Sequence, residues 1–465
     1  MEELKKARIF EEAPIPKAVM TMAVPTILSS LVMVLYNLAD TYFVGILNDP
    51  IQNSAVTLAT PVLLAFNAVN NLFGVGSSSM MSRALGRKDY DTVRRSSAFG
   101  FYCALLCGVL YSATFTALRV PALALLGADG STAPATGGYL FWTVSCGAAP
   151  AILNVVMAYL VRAEGATLHA SIGTMSGCAL NIVLDPIFIL PWGLNMGAAG
   201  AGLATVLSNC AACLYFFVLL LVRRGRTYVC VRPAMARPSR EIARGVFAVG
   251  VPSAIQNLLN VTGMTVLHNF TAPSGPDAIA AMGIAYKINM SPMYITMGVS
   301  QGLMPLVSNN YGGKNYSRMK QCILFAEKIS LGFISVVSVC YFFSSGTLIR
   351  LFMKDPGVVA YGSVFLRCMC VAQPFLCQDF LAVGVFQACG MGGKALMFAI
   401  LRKIELESPA LYIWNGIWPL YGLACAQATA EVVLAAAAAV VLLRLFRRLE
   451  GMGSSSGPAL EKGAA

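Results

Sequence analysis

The sequence predicts an all-α polytopic membrane protein, with twelve transmembrane helices in two pseudo-symmetric halves of six. Three observations carry that prediction. Charge is sparse: 57% of the 465 residues are hydrophobic, 12% are charged, and mean hydropathy is +0.70. A soluble chain carries roughly a quarter charged residues, so most of this surface must face lipid. Apolar stretches long enough to cross a bilayer follow one another along the chain with short polar breaks. The second half then repeats landmarks of the first.

The stretches run over 18–47, 54–82, 96–118, 136–161, 169–190, 198–222, 243–271, 278–307, 321–345, 358–387, 394–418 and 421–445. An even number of spans puts both termini on one side. Basic residues say which side. Lys5, Lys6, Arg8 and Lys17 precede the first span, Arg83, Arg87, Lys88, Arg94 and Arg95 follow the second, and Arg223, Arg224 and Arg226 follow the sixth. The alternate loops hold only Arg119, Arg350 and Lys354. Positive loops stay in the cytoplasm, so both ends are expected there, in a multi-pass protein of the cell's inner (plasma) membrane. The start, "MEELKKARIFEEAPIPKAV", lacks an apolar core ending in a cleavage site, so no removable signal peptide is expected.

The repeat rests on three anchors. "AVPTILSSL" with Pro25 returns as "GVPSAIQNL" with Pro252, "ALGRKDYDTVRRS" with Gly86 as "NYGGKNYSRMKQC" with Gly312, and "AYLVRAEG" with Gly165 as "GVFQACGM" with Gly390. A near-constant offset at all three argues for duplication, and six helices per copy make the copies parallel in topology. The expected organisation is an N-terminal bundle over 1–222, a cytoplasmic linker over 223–242, a C-terminal bundle over 243–445, and a Gly/Ser-rich disordered tail over 446–465.

Several function classes are excluded. There is no Walker-type nucleotide loop and no TVGYG-like pore motif. The fourteen cysteines lie almost all in apolar helices, and Cys210 and Cys213 lack the His or further Cys that would complete a zinc site, so packing explains them. No nucleic-acid partner, metal cofactor or organic cofactor is expected. A membrane-embedded transferase would need a catalytic cluster, and His169 and His268 are the only histidines.

What remains is the buried acid. A carboxylate in hydrocarbon is expensive and is functional by default. Asp40 lies about seven residues, roughly 10 Å, below the outer end of the first span. Asp185 lies about five residues, roughly 8 Å, below the outer end of the fifth, and Asn181 shares its helix face one turn away. Thr205 enters the sixth span to a similar depth, Tyr139 enters the fourth from the same side, and Asn154 lies deeper. Two carboxylates that share an apolar pocket resist being charged together, so such a pair can hold a proton near neutral pH. The same oxygens suit a bare Na⁺. H⁺ and Na⁺ both stay open as the coupling ion.

Pro25 with "NLADTYFVG" (37–45), "LGRKDY" (85–90), "NIVLDP" (181–186) and "GAAGAGLAT" (197–205) resembles the multidrug and toxic compound extrusion (MATE) family of prokaryotic type. The likeness spans essentially all twelve helices. It implies two six-helix bundles around a central cleft, and export of small amphipathic or cationic compounds in exchange for H⁺ or Na⁺ by a monomer in the lipid bilayer. It also implies a cation site at Asp40, Asn181, Asp185 and Thr205 with Tyr139 and Asn154 beside it, and a first helix that bends at Pro25. A flippase for a lipid-linked sugar is the alternative within related folds, but it would want a basic cavity that the first half does not offer.

The second half places Leu267 where Asp40 stands. Its own charges are arranged otherwise. "LRKIELES" spaces Arg402, Lys403, Glu405 and Glu407 to pair as Lys403–Glu407 and Arg402–Glu405, and Asp379 lies at the depth of Arg402 on the preceding span. Lys287 and Glu431 are also within spans. Structural pairing or gating is the favoured role for this set. Ion coupling through Glu405, Glu407 and Glu431 stays open.

Overall fold

The computed structural model describes residues 9–47, 49–237 and 239–454. Lys5, Lys6, Arg8 and the tail from 455 lie outside them. Among the described residues the chain forms twelve long helical rods. They are α1 (Ile15–Ile46), α2 (50–86), α3 (Tyr90–Ala117), α4 (133–163), α5 (Thr167–Ile189) and α6 (Ala198–Val222), then α7 (Arg240–Thr271), α8 (Pro276–Gly312), α9 (Tyr316–Phe352), α10 (Pro356–Ala388), α11 (392–417) and α12 (Tyr421–Ser454). Rods are what lipid demands, since only a helix satisfies its own backbone there. Nine of them are long and apolar enough to cross a bilayer, or ten when the two pieces of α4 count as one span. The rods outside that count are α8 and α11. The charges of "LRKIELE" interrupt the apolar run of α11, and Asn289, Gln301, Asn309 and Asn310 dilute that of α8. The helix α12 continues through Ser454, so 446–454, expected as part of a disordered tail, is helical.

Three rods are irregular. Wider π turns occupy Asn71–Val75 in α2, Phe141–Cys146 in α4 and Leu401–Glu407 in α11. The rod α4 is also broken at Gly147, where its two pieces meet at 52°. Such π segments gather at functional positions.

The duplication is written into the backbone. Lys88 and Lys314 both adopt positive φ, 60° and 59°, and the next residue caps the following helix in both copies. Asp89 accepts from the Thr92 amide at 3.2 Å and Asn315 from the Arg318 amide at 3.3 Å. Ser82 donates to the Ala163 carbonyl at 2.8 Å, and Ser308 to that of Ala388 at 2.9 Å. Thr26 donates to Met22 and Ser253 to Val249, each one turn back beside the matched prolines. Independent convergence does not reproduce four such details at a near-constant offset.

Two compact units result; α1 and α7 are divided between them, and the end of α2 from Leu85 also belongs to unit 2. Unit 1 holds Leu28–Ala84 and Asp89–Asn257, whereas unit 2 holds 9–27, Leu85–Lys88 and 258–454 of the described residues. The divisions fall just after Pro25 in α1 and Pro252 in α7. Each unit therefore takes the first part of a helix whose remainder belongs to the other. Glycine makes these packings possible. A Cβ on Gly76 would come within 2.5 Å of the Val246 carbonyl on α7 in unit 1, and one on Gly302 within 2.7 Å of the Met22 carbonyl on α1 in unit 2. The helix axes approach too closely for any side chain.

The core of unit 2 is built around Phe365, Leu366, Met369, Leu411 and Leu423, with Ala410 beside them and Leu267 packed against them. In unit 1, the chain after α6 is held down rather than loose. The buried Glu164 carboxylate accepts from the Thr227 hydroxyl at 2.9 Å and the Tyr228 amide at 2.7 Å, and the Tyr102 hydroxyl donates to the Val231 carbonyl at 2.7 Å.

Candidate cation site

Four rods of unit 1 bring polar side chains to one place. From α5 come Asn181 and Asp185, 1% and 0% exposed, one turn apart on one face. With the amide oriented so that both of its ends are satisfied, Asn181 spans the gap to α6: its nitrogen donates to Asp185 Oδ2 at 2.8 Å and its oxygen accepts from the Thr205 amide at 3.1 Å. Pro186 follows Asp185 inside α5 without breaking it. The Asp185 carboxylate is thus engaged by a neighbouring side chain.

Asp40 comes from α1. It and Asp185 lie close enough for their charges to act on each other. Tyr36, one turn before Asp40, and the buried Tyr139 of α4 lie within electrostatic range of both carboxylates. The Tyr36 hydroxyl also reaches that of Thr205, whose own proton goes to the Ala201 carbonyl at 2.9 Å. Tyr139 is carried just ahead of the π turns of α4, and Thr143 donates to its carbonyl at 2.9 Å.

Of the residues expected here, Asp40, Asn181, Asp185, Thr205 and Tyr139 come together. Asn154 does not join them through any described bond. Its amide nitrogen donates instead to Asn209 Oδ1 at 3.1 Å, forming a second polar level one turn further along α6. Sequence reasoning missed Tyr36, whose signal is its one-turn spacing from Asp40. It also missed Asn209, one turn from Thr205. Pro25 lies within a helix assigned without interruption from Ile15 to Ile46.

The side chains brought together offer hard oxygen donors, with the Cys178 thiol within electrostatic range of Tyr36. Among the described residues no group of three or more His, Cys, Asp or Glu could hold a metal ion. Carboxylate, amide and hydroxyl oxygens of this kind take up a proton or an alkali cation. No basic side chain faces them in the described contacts, so the two acids have only each other, the amide and the hydroxyls to moderate their charge.

The charged set in unit 2 is built differently. Arg402 Nη1 donates to Asp379 Oδ2 at 2.9 Å and Nη2 to Asn260 Oδ1 of α7 at 2.6 Å, with the guanidinium 5.3 Å from the Phe380 ring centre. Both members of that ion pair are buried. Lys403 pairs with Glu407 at 2.6 Å. The expected Arg402–Glu405 pair is absent among the described contacts, and Glu405 is exposed. The π winding of Leu401–Glu407 is the reason: its wider turn no longer stacks residues three apart. Glu431 of α12 is 1% exposed and lies within electrostatic range of Arg402, Asp379, Glu407 and Lys403. Lys287 is exposed.

Known proteins resemble the chain over nearly its whole length. The family model MatE matches residues 25–187 and 252–411. The multidrug export protein MepA of Staphylococcus aureus (strain MRSA252) is 33% identical over 443 residues, which cover 95% of this chain and 96% of MepA. A solved structure of MATE in the straight conformation superposes with TM-score 0.89 at 26% identity, covering 96% of this chain and 99% of that one. One of MATE in the bent conformation gives 0.88 at 25% identity, covering 98% and 99%.

Proposed function

The chain belongs to the MatE family, and from that premise we propose that it is a secondary active multidrug efflux transporter. It exports amphipathic or cationic organic compounds, using an H⁺ or Na⁺ gradient through the Asp40–Asp185 site. It is a transporter and not an enzyme. What supports the site is the geometry of four helices converging on two acids, with the Asn181 amide tying one of them, Asp185, to Thr205. MepA, a multidrug export protein, supports the substrate class.

Coupling follows from differential affinity. An ion that occupies the acids in one conformation better than in another shifts the population by the ratio of those affinities. Asp40 is carried by the part of α1 in unit 1, beyond Pro25, while the part before Pro25 belongs to unit 2. Proline lacks the amide donor that would hold the preceding turn, so Pro25 is the natural place for α1 to bend when the ion binds or leaves. A protein of this fold has been solved in straight and bent forms. The halves over 1–222 and 243–445 work as two bundles joined by 223–242, both termini are cytoplasmic, and the monomer in the inner membrane is the working unit.

Asp40→Asn tests the reading directly. In liposomes carrying an imposed pH or Na⁺ gradient, export of a fluorescent cationic dye should fall by about tenfold or more, the ratio that about 1.4 kcal/mol of differential affinity produces. The variant should keep wild-type thermal stability. Dye export at the wild-type rate in Asp40→Asn would falsify the proposal.

A further inference from the structure

We propose that Cys368 and Cys425 form a reversible disulfide site that joins α10 to α12 within unit 2. Their sulfur atoms lie 3.3 Å apart, across two helices and 57 residues of sequence. None of the fourteen cysteines forms a disulfide among the described residues, and the other close spacings in the sequence do not bring sulfur to sulfur in the described contacts. Cys213 donates to the Pro150 carbonyl at 3.3 Å, while its C-x-x-C neighbour Cys210 is exposed. Cys370, two residues past Cys368, is buried.

Geometry favours closure. A disulfide needs sulfurs about 2.05 Å apart, so the pair must approach by little more than about 1 Å, within what side-chain torsions supply. Both residues are partly exposed rather than sealed in the core, so a small oxidant can reach them. Cys425 is the fifth residue of α12, about 6 Å from its start, and Cys368 lies twelve residues, about 18 Å, into α10.

The chemistry balances with a hydroperoxide as the oxidant. One thiol gives up its proton, and its sulfur attacks a peroxide oxygen. The O–O bond breaks, one water leaves, and a sulfenic acid remains. The second sulfur then attacks the first, the S–O bond breaks, and the second thiol's proton departs with the oxygen as another water. Two thiols and one hydrogen peroxide become one disulfide and two waters. The bond ties the helix that carries Asp379 to the helix that carries Glu431, so the oxidised form holds the frame of the buried charge cluster in one arrangement.

The full chain in liposomes, treated with hydrogen peroxide, alkylated and mapped by mass spectrometry without reduction, provides the test. Hydrogen peroxide crosses bilayers, so the result does not depend on the orientation or on transport. The expected product is a peptide pair linked through Cys368 and Cys425, lost on treatment with dithiothreitol and absent from Cys368→Ser and Cys425→Ser. Cys322→Ser, a buried cysteine outside the pair, should retain it. If both thiols stay free at a peroxide dose that oxidises the exposed Cys340, the site does not exist. Should a serine variant fail to fold, the linked or unlinked state of the two peptides in the wild-type chain still separates these outcomes.

Discussion

The two halves of this chain share a scaffold and have exchanged the places where they keep charge. In the first half, Asp40 and Asp185 face amide and hydroxyl groups and, among the described contacts, no base. The repeat places Leu267 where Asp40 stands and the Ala410–Leu411 step where Asp185 stands, and all three belong to or pack against the apolar core of unit 2. The reverse holds one level deeper. Asn154, bonded to the neutral Asn209, corresponds to Asp379, bonded to Arg402. A buried ion pair is costly to open, which favours a structural role for an acid beside a base; the proposed cation exchange needs acids without one. Duplication supplied the frame, and a few substitutions set where each copy places its acids and whether a base stands beside them.

That contrast can be broken most forcefully at Arg402. Arg402→Met leaves Asp379 buried without its ion-pair partner, and breaking such a pair costs about 3–5 kcal/mol. Thermal unfolding in lipid nanodiscs should show a large fall in stability, and adding Asp379→Asn should recover most of it. The opposite pattern, intact stability with lost coupling, would make the second half a coupling site as well and end the division of labour.

Asn181→Ala comes next. It removes the donor to Asp185 and the acceptor for the Thr205 amide, and an unsatisfied buried polar group costs about 1–3 kcal/mol. Because the amide also orients the Asp185 carboxylate, cation-driven dye export should weaken along with stability. Asp40→Asn should affect export alone. Equal effects of the two variants on stability would place Asp40 in the packing of unit 1 and not in the exchange of a cation.

Most of this frame was legible in the sequence, because lipid allows so few solutions. Helical rods, their number and the repeat follow from apolar run length and from Pro25, Gly86 and Gly165 with their echoes. Asp40, Asp185, Asn181 and Thr205 stood out because polar groups are rare at that depth. Tyr36 did not, since a tyrosine in an apolar helix looks like any packing residue until its hydroxyl is seen near Thr205. Asn260 was invisible as a partner of Arg402 because it lies on α7, with no local spacing to betray it. The π segments misled in one place: helical spacing joins Arg402 to Glu405, but the wider turn moves Glu405 out to an exposed position. The division of α1 and α7 between units was equally hidden, as it depends on which helix faces Gly76 and Gly302 and not on hydropathy.

The smallest effect tests the shared frame itself. Ser82 and Ser308 sit at matched positions, and each ties its rod to the end of another through a carbonyl, that of Ala163 or Ala388, just before Gly165 or Gly390 turns the chain with positive φ. A buried hydroxyl-to-carbonyl bond contributes about 0.5–1.5 kcal/mol. Ser82→Ala and Ser308→Ala should therefore each lower the unfolding midpoint slightly, by similar amounts, with dye export retained in both. If the frame is common and only the charges have diverged, these two losses must match. A large loss at Ser82 with none at Ser308 would mean that the halves have drifted apart in packing too, and the positions of their acids could no longer be compared by repeat offset alone.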